Sequence, residues 1–202
     1  MEKRRTQAER RAASRRRLID AAIELLATRG YARTSLAAIG EKAGVSRGLI
    51  THHFGSKEQC IAEVVAHIRR LVEAELHENE RRGLAAIENL LRVYLQESWQ
   101  HSYSARAMYV ILVEALTAES ELLGAVAENN AAIRAMICTW IGEAVDLGEV
   151  SPQIDAQGMA VVIEGILRGV LLQILVDPDK VDREAAITAS INMARAALVA
   201  NA

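Results

Sequence analysis

"AGVSRGLITHHF", residues 43–54, is the stretch on which the reading of this chain turns. Just upstream, Leu36, Ile39 and Ala43 fall at helical spacing, and Thr34 or Ser35 stands where a side-chain N-cap belongs. Gly44 can end that helix in a tight turn, and Val45 is placed to plug the angle between two helices. Ser46 then opens a helix of only about two turns, in which Ile50 and Phe54 share one stripe because they are four apart. "GSKEQ" restarts the chain, with Ser56 and Gln59 spaced as a capping box. Ile61, Val64, Val65, Ile68, Leu71 and Val72 mark one side of the long helix that follows, expected to run to about residue 82.

The same period extends outward. Leu18, Ala22, Leu25 and Leu26 form a stripe that Gly30 ends. Downstream, helices are expected at about 84–101, 104–117, 121–147, 155–176 and 181–200, punctuated by Gly83, Gly148–Pro152 and Asp177–Pro178–Asp179. No run alternates with period two, and no segment repeats at a fixed spacing. With only 3% aromatic residues and two prolines in 202 residues, helices are favoured over sheets. The expected fold is all-α: an N-terminal three-helix helix-turn-helix domain, then a helical C-terminal domain.

Cys60 and Cys138 are distant and lack a CxxC partner, so both read as buried free thiols. The chain shows no secretory leader, which points to a cytoplasmic protein. "GMAVVIEGILRGVLLQILV" (158–176) is the longest apolar run, but Glu164 and Arg168 fit a buried helix better than a lipid-facing one, so no membrane partner is expected.

Charge is distributed unevenly. Residues 1–60 hold thirteen Lys and Arg against six Asp and Glu, and the remainder eleven against twenty. A basic first third on an acidic body suits an end that meets a polyanion. Lys3, Arg4, Arg5, Arg10 and Arg11 lack apolar periodicity, so residues 1–14 are expected to be a flexible arm. Such an arm is either solvated or follows phosphates and the minor groove.

In a helix-turn-helix the second helix lays its N-terminal residues against base edges in the major groove. Arg47 is then the natural base reader, since its guanidinium can bond guanine O6 and N7 together. Gly48 permits close approach, and Leu49 either meets a thymine methyl or fills core. Thr51, His52 and His53 suit phosphate or groove-wall contacts, and Lys57 a phosphate. A metal on His52 and His53 fails on geometry, because adjacent helical residues point about 100° apart and neither has a ligand partner at i+4. No catalytic triad, phosphate loop or metal cluster can be assembled, so neither an enzyme nor a cofactor is expected.

"TSLAAIGEKAGVSRGLITHHFGSKEQC" (34–60) resembles the DNA-binding signature of TetR-family transcriptional regulators: T-x-x-x-I-A-x-x-A-G-V-S, a short helix, an H-F pair and S-K-E. Ser35 and Gly40 replace its Thr and Ala, and Thr51 stands where tyrosine is usual, which shortens or removes a phenolic phosphate contact. The resemblance covers about a quarter of the chain and implies domains at 15–56 (DNA-binding) and 57–202 (inducer-binding and dimerisation). It places Ser35, Arg47, Gly48, Leu49, Thr51, His52, His53 and Lys57 at operator-contacting positions. "GLITHHF" is most similar to the betaine-responsive, choline-sensing repressor branch. The resemblance further implies a repressor released by a small-molecule inducer. Activation in place of repression stays open, as does a helical ligand-binding or protein-interaction module whose head does not read sequence.

Helix 155–176 is apolar on more than one face, and Gly165 and Gly169 would let another helix approach. A two-fold homodimer through this helix and 181–200, using Gly165, Ile166, Gly169, Val170 and Ile174, follows from the pattern; one large internal core is the alternative. Five of the seven aromatics fall between 94 and 140. Tyr94, Trp99, Tyr103, Met108, Tyr109, Glu114, Asn130, Met136 and Trp140 are the candidate lining of the inducer pocket that the resemblance implies. Aromatic faces with a carboxylate would suit a quaternary ammonium ligand.

Overall fold

The computed structural model describes residues 6–77, 81–100, 102–117 and 121–199, and all regular structure among them is helical. In chain order the helices are α1 (Gln7–Arg29), α2 (Leu36–Lys42), α3 (Arg47–Phe54), α4 (Lys57–His77), α5 (Gly83–Gln100), α6 (Ser102–Ala115), α7 (Leu122–Asp146), α8 (Ala156–Val176) and α9 (Arg183–Val199). The all-α expectation holds.

Two compact units emerge, Met1–Ile68 with Tyr103–Ala127, and Arg69–Ser102 with Glu128–Ala202. The expected boundary at residue 57 falls inside the first of them. Its core joins Leu18, Leu26, Ile39, Ile50 and Ile61 to Ala107, Met108 and Ile111, so α6 completes the interior of the helix-turn-helix head. In the second unit α5 packs on both α8 and α9. Leu90, Leu91, Ile137, Ile141, Ile163 and Leu167 fill that core.

Local chemistry sets most ends. Ser35 caps α2 by accepting from the Ala38 N–H at 3.2 Å, while Thr34 is buried and donates to the Gly30 carbonyl at 2.8 Å. The Ser56–Gln59 capping box is present in both directions. At the start of the chain the expectation fails. Thr6 and Glu9 form a capping box, so Arg10 and Arg11 lie on α1 and not on a flexible arm; Lys3, Arg4 and Arg5 fall outside the described residues. α4 is described as far as His77, residues 78–80 lie outside the described residues, and Arg81 and Arg82, where the helix was expected to end, are not helical; Leu71 is exposed.

α8 is long and apolar enough to cross a membrane by length and composition alone, with a mean hydropathy of 2.0 over its most apolar window. Its inner face carries a buried Glu164. That carboxylate accepts from Arg134 of α7 at 2.9 Å and from Arg168, one turn on, at 2.9 and 3.0 Å. The charge is thus paired on both oxygens, as a buried carboxylate must be.

Candidate nucleic-acid interface

The first unit builds its outward surface from three short elements. α2 ends at Ala43, and Gly44 turns the chain with φ +65°, a conformation that costs any other residue. The turn folds back tightly: the Val45 N–H donates to the Gly40 carbonyl at 2.8 Å. A Cβ on Gly40 would stand 3.1 Å from the Val45 carbonyl oxygen, so glycine here lets the turn lie close against α2. Ile50 (0% exposed) and Phe54 (5%) then anchor α3 in the core.

With that face buried, the opposite face of α3 is fixed. Gly48, Leu49, Thr51 and His52 are exposed, and a Cβ on Gly48 would meet nothing within 4 Å. Leu49 is 40% exposed, which decides against its filling core. Arg47 opens the helix, but its side chain lies outside what is described. Ser35 is exposed at the start of α2.

Two of the expected surface residues are held inward. The Lys57 ammonium donates to the Tyr31 carbonyl at 2.8 Å and sits 3.5 Å from the centre of the Tyr31 ring. Burial lowers its pKa. The Tyr31 hydroxyl donates to Glu58 at 3.3 Å, and burial, then the Glu58 charge, pushes its pKa up to about 12. Lys57 therefore locks the start of α4 to the α1–α2 turn. His53 is half-buried: its Nδ1 is enclosed without a hydrogen-bond partner, and the imidazole lines a cleft with Arg15, Phe54, Gln59 and Glu63.

The residues expected around an inducer divide between the units. Tyr94, Asn130, Met136 and Trp140 belong to the second; Met136 and Trp140 pack against its core, and burial raises the Tyr94 phenol. The Asn130 side-chain oxygen Oδ1 accepts from Arg168 at 2.6 Å, so it is committed to the Glu164 network. Tyr103, Met108, Tyr109 and Glu114 belong to the first unit. There Met108 is part of the head core, Tyr103 is exposed, and Glu114 acts electrostatically on Tyr31 and Lys57. The Trp99 side chain lies outside the described set. Periodicity could not find the Lys57–Tyr31 clamp or the Glu164 network, because both join residues far apart in the chain.

Comparison with known proteins places this geometry. The family model of bacterial regulatory proteins of the tetR family matches residues 18–64. The model of the C-terminal domain of BetI-type transcriptional repressors matches 84–199, more than half of the chain. This chain belongs to the TetR family of transcriptional regulators. Helix-turn-helix transcriptional regulators match along most of its length. The transcriptional repressor AcnR of Corynebacterium jeikeium is 30% identical over 76% of this chain and 77% of its own. The regulator TtgR of Pseudomonas putida is 28% identical over 84% and 83%. The BetI regulator of Brucella anthropi is 38% identical, but the match spans only 36% of this chain and 41% of that protein. A TetR-family regulator from Rhodococcus sp. has the same fold, with a TM-score of 0.83 at 22% identity over 92% of this chain and 99% of that one. The structure of SmeT with triclosan does too, with a TM-score of 0.79 at 23% identity over 93% and 92%. The chain is thus a DNA-binding regulator of transcription and not an enzyme.

Proposed function

We propose that this TetR-family regulator is a cytoplasmic repressor that binds a palindromic operator as a homodimer and is released by a small-molecule inducer. The observation that carries the DNA-reading part is the α3 surface: Ile50 and Phe54 are buried, while Gly48, Leu49, Thr51 and His52 face out behind Arg47. In this reading Arg47 bonds a guanine, Leu49 meets a thymine methyl, and Ser35, Thr51 and His52 touch backbone or groove wall. Lys57 acts from beneath, by holding the start of α4 to the α1–α2 turn, and the half-buried His53 stands at the edge of that surface.

The dimer is supported by the outer face of α8, where Val161, Val162, Gly165, Gly169, Leu172 and Val176 are all exposed, with Ile166 and Val170 half-buried at its edge. Ile174 leaves the expected interface, because it is 1% exposed within its own chain. Two copies joined there would present two α3 helices to two half-sites. An inducer releases DNA only if it binds the low-affinity state better, with a coupling of typically about 1–3 kcal/mol. The BetI-type match and the aromatics Tyr94 and Trp140 support a quaternary ammonium inducer. The carboxylate first assigned to it, Glu114, lies in the other unit.

Fluorescence anisotropy tests this with labelled DNA from upstream of the protein's own gene, scrambled DNA as control, and a salt series. Tight binding to the upstream fragment with a steep salt slope is expected, and choline-like compounds are then screened for release. Arg47→Ala should cost about 1–3 kcal/mol and relax discrimination at one base pair. Equal, weak binding to both DNAs would leave the helical ligand-binding module as the better account.

A further inference from the structure

α3 has little to hold its own tilt. It is eight residues long, and its N-cap Ser46 makes no side-chain capping bond. A helix this short is marginal alone and takes its orientation from what it packs against. Ile50 and Phe54 anchor it from below. Above Phe54, the last residue of α3, stands Arg15 of α1.

The Arg15 guanidinium carbon lies 5.2 Å from the centre of the Phe54 ring, and Nη2 is 2.7 Å from Glu63 Oε1 on α4. One side chain therefore touches α3 through a ring face and α4 through an ion pair while rooted in α1. The planar guanidinium suits both contacts at once, which an ammonium does not. Beside it, a cleft of about 380 Å³ opens between His53, Gln59 and Ala66, so among the described residues no apolar packing replaces Arg15 on that flank. Both partners are about two-fifths exposed, at 40% and 38%, so the pair does not owe its place to deep burial.

We propose that Arg15, held by Glu63, is a positioning residue that fixes the tilt of the DNA-reading helix through Phe54. The inference rests on α3 reading DNA. Because α3 spans about 12 Å, a rotation of about 10° about its Phe54 end displaces the Arg47 end by about 2 Å across the groove, enough to break a base contact. Specific binding suffers, while sequence-blind attraction to phosphates does not.

The competing role for a part-exposed arginine is a direct phosphate contact, and Glu63→Gln separates the two. It removes a negative charge and releases the guanidinium. A phosphate-contacting Arg15 would then bind all DNA more tightly; a positioning Arg15 loses its anchor. We expect Glu63→Gln, Arg15→Lys and Phe54→Leu each to lower the specific-to-scrambled affinity ratio about three- to tenfold, since each contact is individually modest. The salt slope should stay at the wild-type value in all three. Hydrogen exchange of the α3 amides in the free protein supplies a readout without DNA. The same variants should exchange faster there, while α1 and α4 keep wild-type protection.

Unchanged α3 exchange in Glu63→Gln and Arg15→Lys overturns the proposal, whatever the DNA result. Tighter binding of Glu63→Gln to both DNAs, or full specificity in Arg15→Lys, overturns it as well. If the wild-type protein itself does not discriminate between the DNAs, the function proposed above fails, and the exchange rates still judge the strut.

Discussion

His53 is half-buried at the end of α3, with Nδ1 enclosed and without a hydrogen-bond partner. Its pKa is lowered from the ordinary 6.5, first by burial and then by the positive charges of Arg11, Arg15 and His52. In the unfolded chain the imidazole takes a proton near that ordinary value; in the folded head it does so only at lower pH. Unfolding therefore takes up a proton between the two values, and stability falls as the pH drops below 6.5. Wild type should lose more melting temperature between about pH 7.5 and 5.5 than His53→Asn does, whereas equal losses would place the pH dependence elsewhere. Cys60 carries a second expectation at this scale. Its side chain is fully buried, and burial, then the Glu63 charge, pushes its thiol up to about 12. Iodoacetamide at about pH 8 should modify Cys60 only when the chain unfolds, with mass spectrometry locating the label; rapid native labelling would contradict the buried site.

Among the elements, α2, the turn and α3 were legible because each is specified locally: a cap at Ser35, a positive-φ glycine at 44, and an apolar pair at 50 and 54. The first turns of α1 are equally local, and helix stands there in place of the expected flexible arm. The basic run has no apolar stripe, yet Thr6 and Glu9 are spaced as a capping box, and the cap decides the start. The packing of α6 into the head core, the Lys57 clamp and the Arg15–Phe54 contact were not legible. They join residues about 25 to 90 positions apart, and neither period nor cap encodes such pairings. The N-terminal turns of α1 are exposed from Gln7 to Ala13, and the Thr6–Glu9 capping box sets where they begin. Thr6→Ala should cost about 1 kcal/mol locally, read as roughly fivefold faster amide exchange in the first turns of α1 with the global melting temperature nearly unchanged. Unaltered exchange would mean that the cap is not what starts the helix.

At the level of the whole molecule, the question is what covers α8. Within the chain its inner face is full: Ile163, Leu167, Leu171 and Ile174 are buried, and Glu164 is paired. The outer face keeps Val161 56%, Leu172 41% and Val176 72% exposed, with Gly165 and Gly169 between them. Those glycines give opposite predictions for a lone chain and for a dimer. A Cβ at either meets nothing within 4 Å, so in a lone chain Gly165→Leu with Gly169→Leu fills open space. Replacing glycine inside an exposed helix also gains up to about 1 kcal/mol at each site. The lone chain should therefore melt higher. In a dimer packed through this face the glycines are where the partner helix comes near, at an interaxial distance of about 8–10 Å, and two leucines force it away. We expect the double variant to sediment as a monomer and to lose most of its affinity for a palindromic site while keeping affinity for a half-site. A double variant that stays dimeric and melts higher than wild type would show that the second copy, if any, binds elsewhere.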